Sequence, residues 1–323
     1  MAIVTGSTIS YGVGAAGGNR EDIENEIHEL DASEYYALTN FDKVSASAVF
    51  HEWLLDSLVA AAANRQLEGD DAAYVSVVSP TRVGNYCQIS RKTFLISRTQ
   101  EKIAKAGRKS EAARQMVKQM REMKNDMELA LITNQASSAG GAGTARSSAG
   151  MESWIATNEV LATTTGGGTT AGFAAGVVAA PTDGTTTGAL TIAALKSALQ
   201  GAWLLGGKPS IILSGPTQKE AIDAMTSVAT RNVDIGRSEQ AVITGANNLI
   251  VTSYGTHKVV LHRHVRASVV LCIDPEYWAI AYLDRPSMEE MAKTGDGKKY
   301  QMLTEFCLVS RNQGASAKVV NAA

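Results

Sequence analysis

Gly12-Val13-Gly14-Ala15-Ala16-Gly17 has the G-x-G-x-x-G spacing that lets backbone amides close around a pyrophosphate. That chemistry needs a buried strand before the glycines and an apolar helix behind them. Here Thr5, Gly6, Ser7 and Ser10 break the preceding run, and the following segment is rich in acids that would repel a phosphate. The pattern reads as a glycine-rich arm. His262 and His264 stand two apart, with His257 nearby, so one strand face could present two imidazoles to a metal. No third ligand has local spacing, and surface or interface histidines are the expectation. Glu289, Glu290 and Asp296 lie beside Lys293, Lys298 and Lys299, which suits a salt-bridged turn better than an acid/base pair.

No G-x-S-x-G elbow, H-E-x-x-H helix or P-loop lysine occurs. Cys87, Cys272 and Cys307 fit neither a zinc spacing nor a disulfide framework, so buried reduced thiols are expected. These patterns call for no cofactor and point away from catalysis.

The charge distribution carries more information. The net charge over 323 residues is −2. Residues 1–80 nevertheless hold 13 acids against three bases, a net of −10, and residues 81–146 hold 13 bases against five acids, a net of +8. Adjacent blocks of opposite sign can steer copies of a chain into register. The basic stretch lacks interleaved aromatics, which argues against sequence-specific nucleic-acid recognition. No apolar run approaches the ~20 residues that span a bilayer. The N-terminus has no basic region followed by an apolar core, so neither a secretory signal nor a membrane partner is expected.

The elements follow from periodicity and caps. Asn19 can cap an acidic helix over Arg20–Leu30, and 31–46 reads as a connecting arm. Residues 47–98 form two extended runs around an acidic, Ala-rich turn. A two-stranded arm of that length is marginal alone in water and needs a partner surface. Ala113, Met116, Met120, Met123, Met127, Ala130 and Asn134 step by three and four. They predict one helix from Thr99 to Asn134, with Thr99 as N-cap and a length on the order of 50 Å.

The stretch 135–190 is Gly-, Ala-, Thr- and Ser-rich, with Trp154 as a docked anchor. An α/β segment begins with Thr191 capping a helix over Ile192–Leu205. A buried strand at Ile211–Leu213 and a helix at Thr217–Val228 follow. Strands are expected at 248–253, 258–262, 268–273, 278–283 and 302–310, with a polar, Ala-rich tail over 311–323.

Three strings then resemble a known family: EGDDAAYVSVVSPTRVGNYCQISRKTF (68–94), QEKIAKAGRKSEAARQMVKQMREMKNDMELALITNQAS (100–137) and DPEYWAIAYLDRPSMEEMAKTGDGKKYQMLTEFCLVSRNQGA (274–315). They are similar to major capsid proteins of tailed bacteriophages with the Hong Kong 97-type fold, over most of 19–315. The stretch 155–190 matches nothing in that family.

The resemblance implies an α+β fold. It would have an N-arm (1–46), an extended β-hairpin loop (47–98), a peripheral domain with a long spine helix (99–146 and 284–323), and an α/β axial domain (147–283). It implies hexamers and pentamers of this chain closing into an icosahedral shell around double-stranded DNA, held without sequence specificity. Scaffold, portal and decoration proteins would be further partners, with assembly in the host cytoplasm. Glu68, Asp70 and Asp71 at the loop tip would face bases of a neighbour, with Arg82, Arg91, Arg108, Lys109 and Arg114 as candidates. Some relatives weld their shells through a lysine on this loop. Residues 59–80 hold no lysine, so that cross-link is not expected. The lead before residue 47 is short, so any scaffold is expected to be a separate protein. A cellular compartment shell of the same fold, or more distantly an α/β nucleotide-binding enzyme, are the alternatives.

Overall fold

The computed structural model describes residues 35–69, 71, 74, 76–105, 107–162, 172–225, 248–293 and 295–322. The Gly12–Gly17 motif, the expected Arg20–Leu30 helix and Asp70 lie outside the described residues.

The described chain opens with a short helix, α1 (Tyr36–Asn40), and a strand, β1 (Asp42–Ser45), where the sequence suggested only a connecting arm. Next come β2 (Phe50–Leu55), β3 (Thr81–Tyr86) and β4 (Gln88–Ser97). β2 and β3 pair antiparallel, from Phe50↔Tyr86 to Leu55↔Thr81. The second extended run is thus two strands, not one. At Cys87 the chain leaves the hairpin, the Cys87 amide donating to the Val49 carbonyl (2.8 Å), and enters a different sheet.

The single long helix is also interrupted. Helix α2 (Arg98–Lys102) is capped by Ser97, whose hydroxyl accepts from the Gln100 amide at 3.2 Å. Thr99 lies inside that helix and is not its cap. Gly107, at φ 70°, takes a backbone conformation that continues no helix. Ser110 then caps α3 (Glu111–Ile132), accepting from the Ala113 amide at 3.2 Å. At 22 residues α3 runs about 33 Å. Its methionine stripe is buried only in the C-terminal half, at Met123, Met127 and Ala130; Met120 is exposed.

A four-residue helix α4 (Met151–Trp154), β5 (Glu159–Leu161), and the small hairpin of β6 (Gly172–Ala174) and β7 (Val177–Ala179) follow. Helix α5 (Ile192–Leu204) starts where predicted, the Thr191 hydroxyl accepting from the Ala194 amide at 3.1 Å. Then come β8 (Ile211–Ser214), α6 (Pro216–Ala224) with Pro216 at its first turn, β9 (Leu249–Thr252), β10 (Gly255–Leu261) and β11 (Val270–Ile273). Two long strands, β12 (Trp278–Met291) and β13 (Gly297–Ser310), precede β14 (Ala317–Val320).

Two sheets organise the core. The first has the order β1-β12-β13-β4, with β1 parallel to β12 and the other pairs antiparallel. The β12–β13 ladder shifts register between Asp284 and Ser287, around Pro286. A proline has no amide for the ladder, so a bulge is where a strand tolerates one. Lys298 pairs with Glu290 (3.2 Å) and Asp296 with Arg98 (2.9 Å), so the turn is salt-bridged as expected.

The second sheet has the order β5-β14-β11-β8-β10-β9. Side chains alternate between its faces. Ile212, Val270, Cys272, Ala317 and Val319 pack with Leu195, Leu199 and Ala202 of α5. Leu213, Leu271, Ile273 and Val320 join Met127, Leu131, Trp154, Trp278 and Phe306 in the central core. The tail expected to be polar and Ala-rich supplies β14, every residue of which is buried. Residues 317–320 therefore complete the sheet that the sequence reading built from 147–283 alone.

Candidate assembly surface

Among the described residues between Leu55 and Thr81 the chain forms neither helix nor strand. Its apolar side chains there face solvent: Leu58 is 99% exposed, Tyr74 97% and Val77 92%, with Val59, Leu67 and Val78 also exposed. Isolated exposed leucines are ordinary, but an arm whose large residues find no shelter in its own chain is a surface awaiting a partner.

The root of this arm is held firmly. Trp53 Nε1 donates to the Ser310 carbonyl (2.9 Å), and its ring lies 5.5 Å from Trp154, which stacks on Phe173 at 6.0 Å. Trp154 is thus the anchor the sequence suggested. Buried Asn85 bonds in several directions at once. Its amide nitrogen donates to the Leu308 carbonyl (2.8 Å) and the Ser148 hydroxyl (3.1 Å), and its oxygen accepts from the Ala149 amide (2.9 Å). Gly84 must lack a side chain, because a Cβ would sit 2.7 Å from Phe50 Cζ and 2.8 Å from the His51 carbonyl oxygen. A rigid root and exposed apolar limbs can reach over a neighbouring surface without first ordering the whole arm.

Glu68 and Asp71 are exposed near the tip. Arg82 lies 3.8 Å from Glu52 across the arm's own hairpin. Arg91 and Lys109 are exposed. Arg108 and Arg114 both pair with Glu111 at the start of α3, the latter at 3.3 Å. The structure therefore does not leave all five bases equally available. Two are already engaged on α3, and Arg91 and Lys109 face outward.

The fold is set by more distant matches. A model of the SU10 major capsid protein family matches residues 5–323. The chain belongs to that family. None of the curated proteins compared with it matches. Among solved structures, the cyanophage A-1(L) capsid protein superposes with a TM-score of 0.65 at 13% identity, covering 94% of this chain and 97% of that one. The capsid protein of a native GTA particle gives 0.61 at 11%, covering 98% and 99%. The phage G major capsid protein, solved with decoration proteins, gives 0.53 at 11%, covering 94% and 95%. The capsid protein thus has the Hong Kong 97-type fold, and its role is a structural one in the shell of a virion. A nucleotide-binding enzyme and a cellular compartment shell are not favoured.

Three charged clusters of the capsid protein were not visible in its sequence. His257 and His262 are buried, correcting the expectation of surface histidines. His257 Nδ1 bonds the Pro209 carbonyl (2.5 Å), while His262 Nε2 lies 3.3 Å from Glu128 Oε1. Lys318, in the tail, is fully buried with its Nζ 2.9 Å from Glu159 Oε2. Arg266 bridges Glu152 and Asp183, donating to each; burial nevertheless pushes the Glu152 carboxyl above its ordinary range. The carboxylates facing His262, Arg266 and Lys318 all come from distant parts of the chain, as with Arg266 and Glu152, 114 residues apart, and for such pairs local spacing carries no signal. Among the described residues no group of His, Cys, Asp and Glu is arranged to hold a metal, and no helix is long and apolar enough to cross a membrane.

Proposed function

We propose that this capsid protein assembles with copies of itself into hexamers and pentamers that close into an icosahedral shell around double-stranded DNA. The observation that carries the reading is the arm of residues 56–80, anchored at its root and carrying exposed apolar side chains along its limbs. On a neighbour it would bury surface that a single chain leaves in water. Residues 1–46 act as the N-arm, 47–98 as the extended loop, and 99–146 with 284–316 as the peripheral unit around α3. Residues 147–283, joined by β14, act as the axial unit at the five-fold and six-fold axes. Glu68, Asp70 and Asp71 meet exposed bases of the next copy, with Arg91 and Lys109 the best placed. Assembly takes place in the host cytoplasm. Scaffold and portal proteins, and decoration proteins of the kind solved with the phage G capsid, are further partners.

Electron microscopy of the chain expressed alone tests this. Closed shells or capsomer rings support self-assembly directly. Monomers that stay monomeric when a scaffold candidate from the same genome is added would overturn it.

A further inference from the structure

The Sγ atoms of Cys87 and Cys307 lie 3.6 Å apart, across 220 residues of sequence. Both residues are buried. The β13–β4 ladder runs as far as Phe306↔Gln88, so Cys307 and Cys87 occupy the next cross-strand position. Facing Cβ atoms there stand about 4.5–5.5 Å apart, close to what a disulfide accommodates. They share a cluster with the small side chains Ala46, Ala279 and Ala281, alongside Val309. The sulfurs need approach each other by only about 1.5 Å to reach bonding distance.

We propose that Cys87 and Cys307 are a latent intrachain disulfide, formed by mild peroxide oxidation, that ties the root of the extended arm to strand β13. Cys87 is the residue at which the chain passes from the arm hairpin into the four-stranded sheet, so the bond would fix that joint. The hydrogen bond with Cys307 pulls the Cys87 thiol below its usual range, and the same contact, with burial, pushes Cys307 up. Cys87 is therefore the sulfur that reacts first. It takes one oxygen from hydrogen peroxide to become a sulfenic acid, releasing water. The Cys307 sulfur then displaces that oxygen as a second water. Two thiols and one peroxide become one disulfide and two waters.

Cys272 is the internal control. It is buried on the other sheet, with burial pushing its thiol up to about 12. The reducing cell interior keeps the pair as thiols, and oxidising surroundings favour the bond. The bond itself does not depend on the assembly reading, but its timing, after a virion leaves the cell, rests on it.

The test uses the purified full-length chain with dilute hydrogen peroxide. Thiols are counted after denaturation, and unreduced tryptic peptides are mapped. The count should fall from three to one. The peptides Val83–Arg91 and Tyr300–Arg311 should appear joined, two hydrogens lighter than their sum. A Cys87→Ala variant should keep both remaining thiols under the same treatment. Three surviving thiols, a link involving Cys272, a link between chains, or sulfinic acids on separate peptides would each overturn the proposal. None of these readouts depends on whether shells form.

Discussion

Glu128 and His262 meet at 3.3 Å with both side chains essentially shut off from solvent. The Glu128 carboxylate also accepts from the backbone amides of Ala37 (2.6 Å) and Leu38 (3.0 Å), in the first turn of α1. One side chain on α3 thus satisfies helix-start amides that nothing local would satisfy, and fastens the N-terminal segment to the core. Its charge also reaches Tyr36, whose hydroxyl is pushed up to about 12, chiefly by burial and then by Glu128.

Glu128→Gln should therefore do more than weaken one pair. An amide offers one oxygen where the carboxylate offered two, and it turns an N–H group toward a backbone N–H. The expected loss is about 2–4 kcal/mol in urea unfolding, with new protease cleavage around Tyr36. An unchanged midpoint and no cleavage there would show that α1 is held by its apolar contacts alone.

The N-terminus of α3 should set the acid limit of stability. Glu101 accepts from the Glu111 amide at 3.0 Å, and hydrogen bonding by Ser110 holds its carboxyl below the ordinary range. Glu111 is held low first by Gln115 and then by Arg108. Between the depressed values and the usual carboxylate value of about 4.3, the unfolded chain binds more protons than the folded one. Their contribution is thus complete above that pH and lost as pH falls. Glu111→Gln should lower the melting temperature at neutral pH and flatten its decline below about pH 4.5. Parallel pH curves for the two proteins would contradict this.

Lys318 gives a sharper case. Its Nζ donates to the Glu152 carbonyl (3.0 Å) and lies 2.9 Å from the Glu159 carboxylate, with no exposure of its own. Lys318→Met keeps the stem's packing but strands a partly buried carboxylate, costing about 3 kcal/mol or more. Adding Glu159→Gln should recover part of that loss, because the stranded charge goes with it. Simple additivity of the two substitutions in denaturant unfolding would mean the pair is not coupled.

What the sequence showed and what it hid divide along the distance over which a signal acts. Thr191 and Pro216 announce their helices because a cap or a first-turn proline acts within three or four residues. Ser110 sends the same signal, and the stripe begins just after it at Ala113, but Thr99 offered a rival cap with no proline in between. Gly107 was the residue to weigh, since its positive φ lies outside the helical region and falls between the two helices. The exposed arm was legible as a length of extended chain with no partner. That Cys87 divides it between two sheets was not, because the deciding partners, Val49 just before β2 and Phe306 on β13, are remote in sequence. Nor could a tail reading Ala-Lys-Val-Val declare that its lysine would be buried against Glu159.

The arm itself yields the most discriminating experiment. Leu58 and Val59 are almost fully exposed in the single chain, at 99% and 90%. Replacing both with aspartate should leave monomer stability within about 0.5 kcal/mol of the parent, as for other exposed positions. If the arm covers a neighbour, the same change places two charges in a buried interface and should abolish shells in sedimentation or microscopy. Reversing Asp70 and Asp71 to lysine should act more weakly and in a salt-dependent way, since complementary charges between copies mainly steer encounter. A double aspartate variant that forms shells at the parental yield would remove the arm from the interface. One that merely melts early would instead show that this part of the arm packs on its own chain.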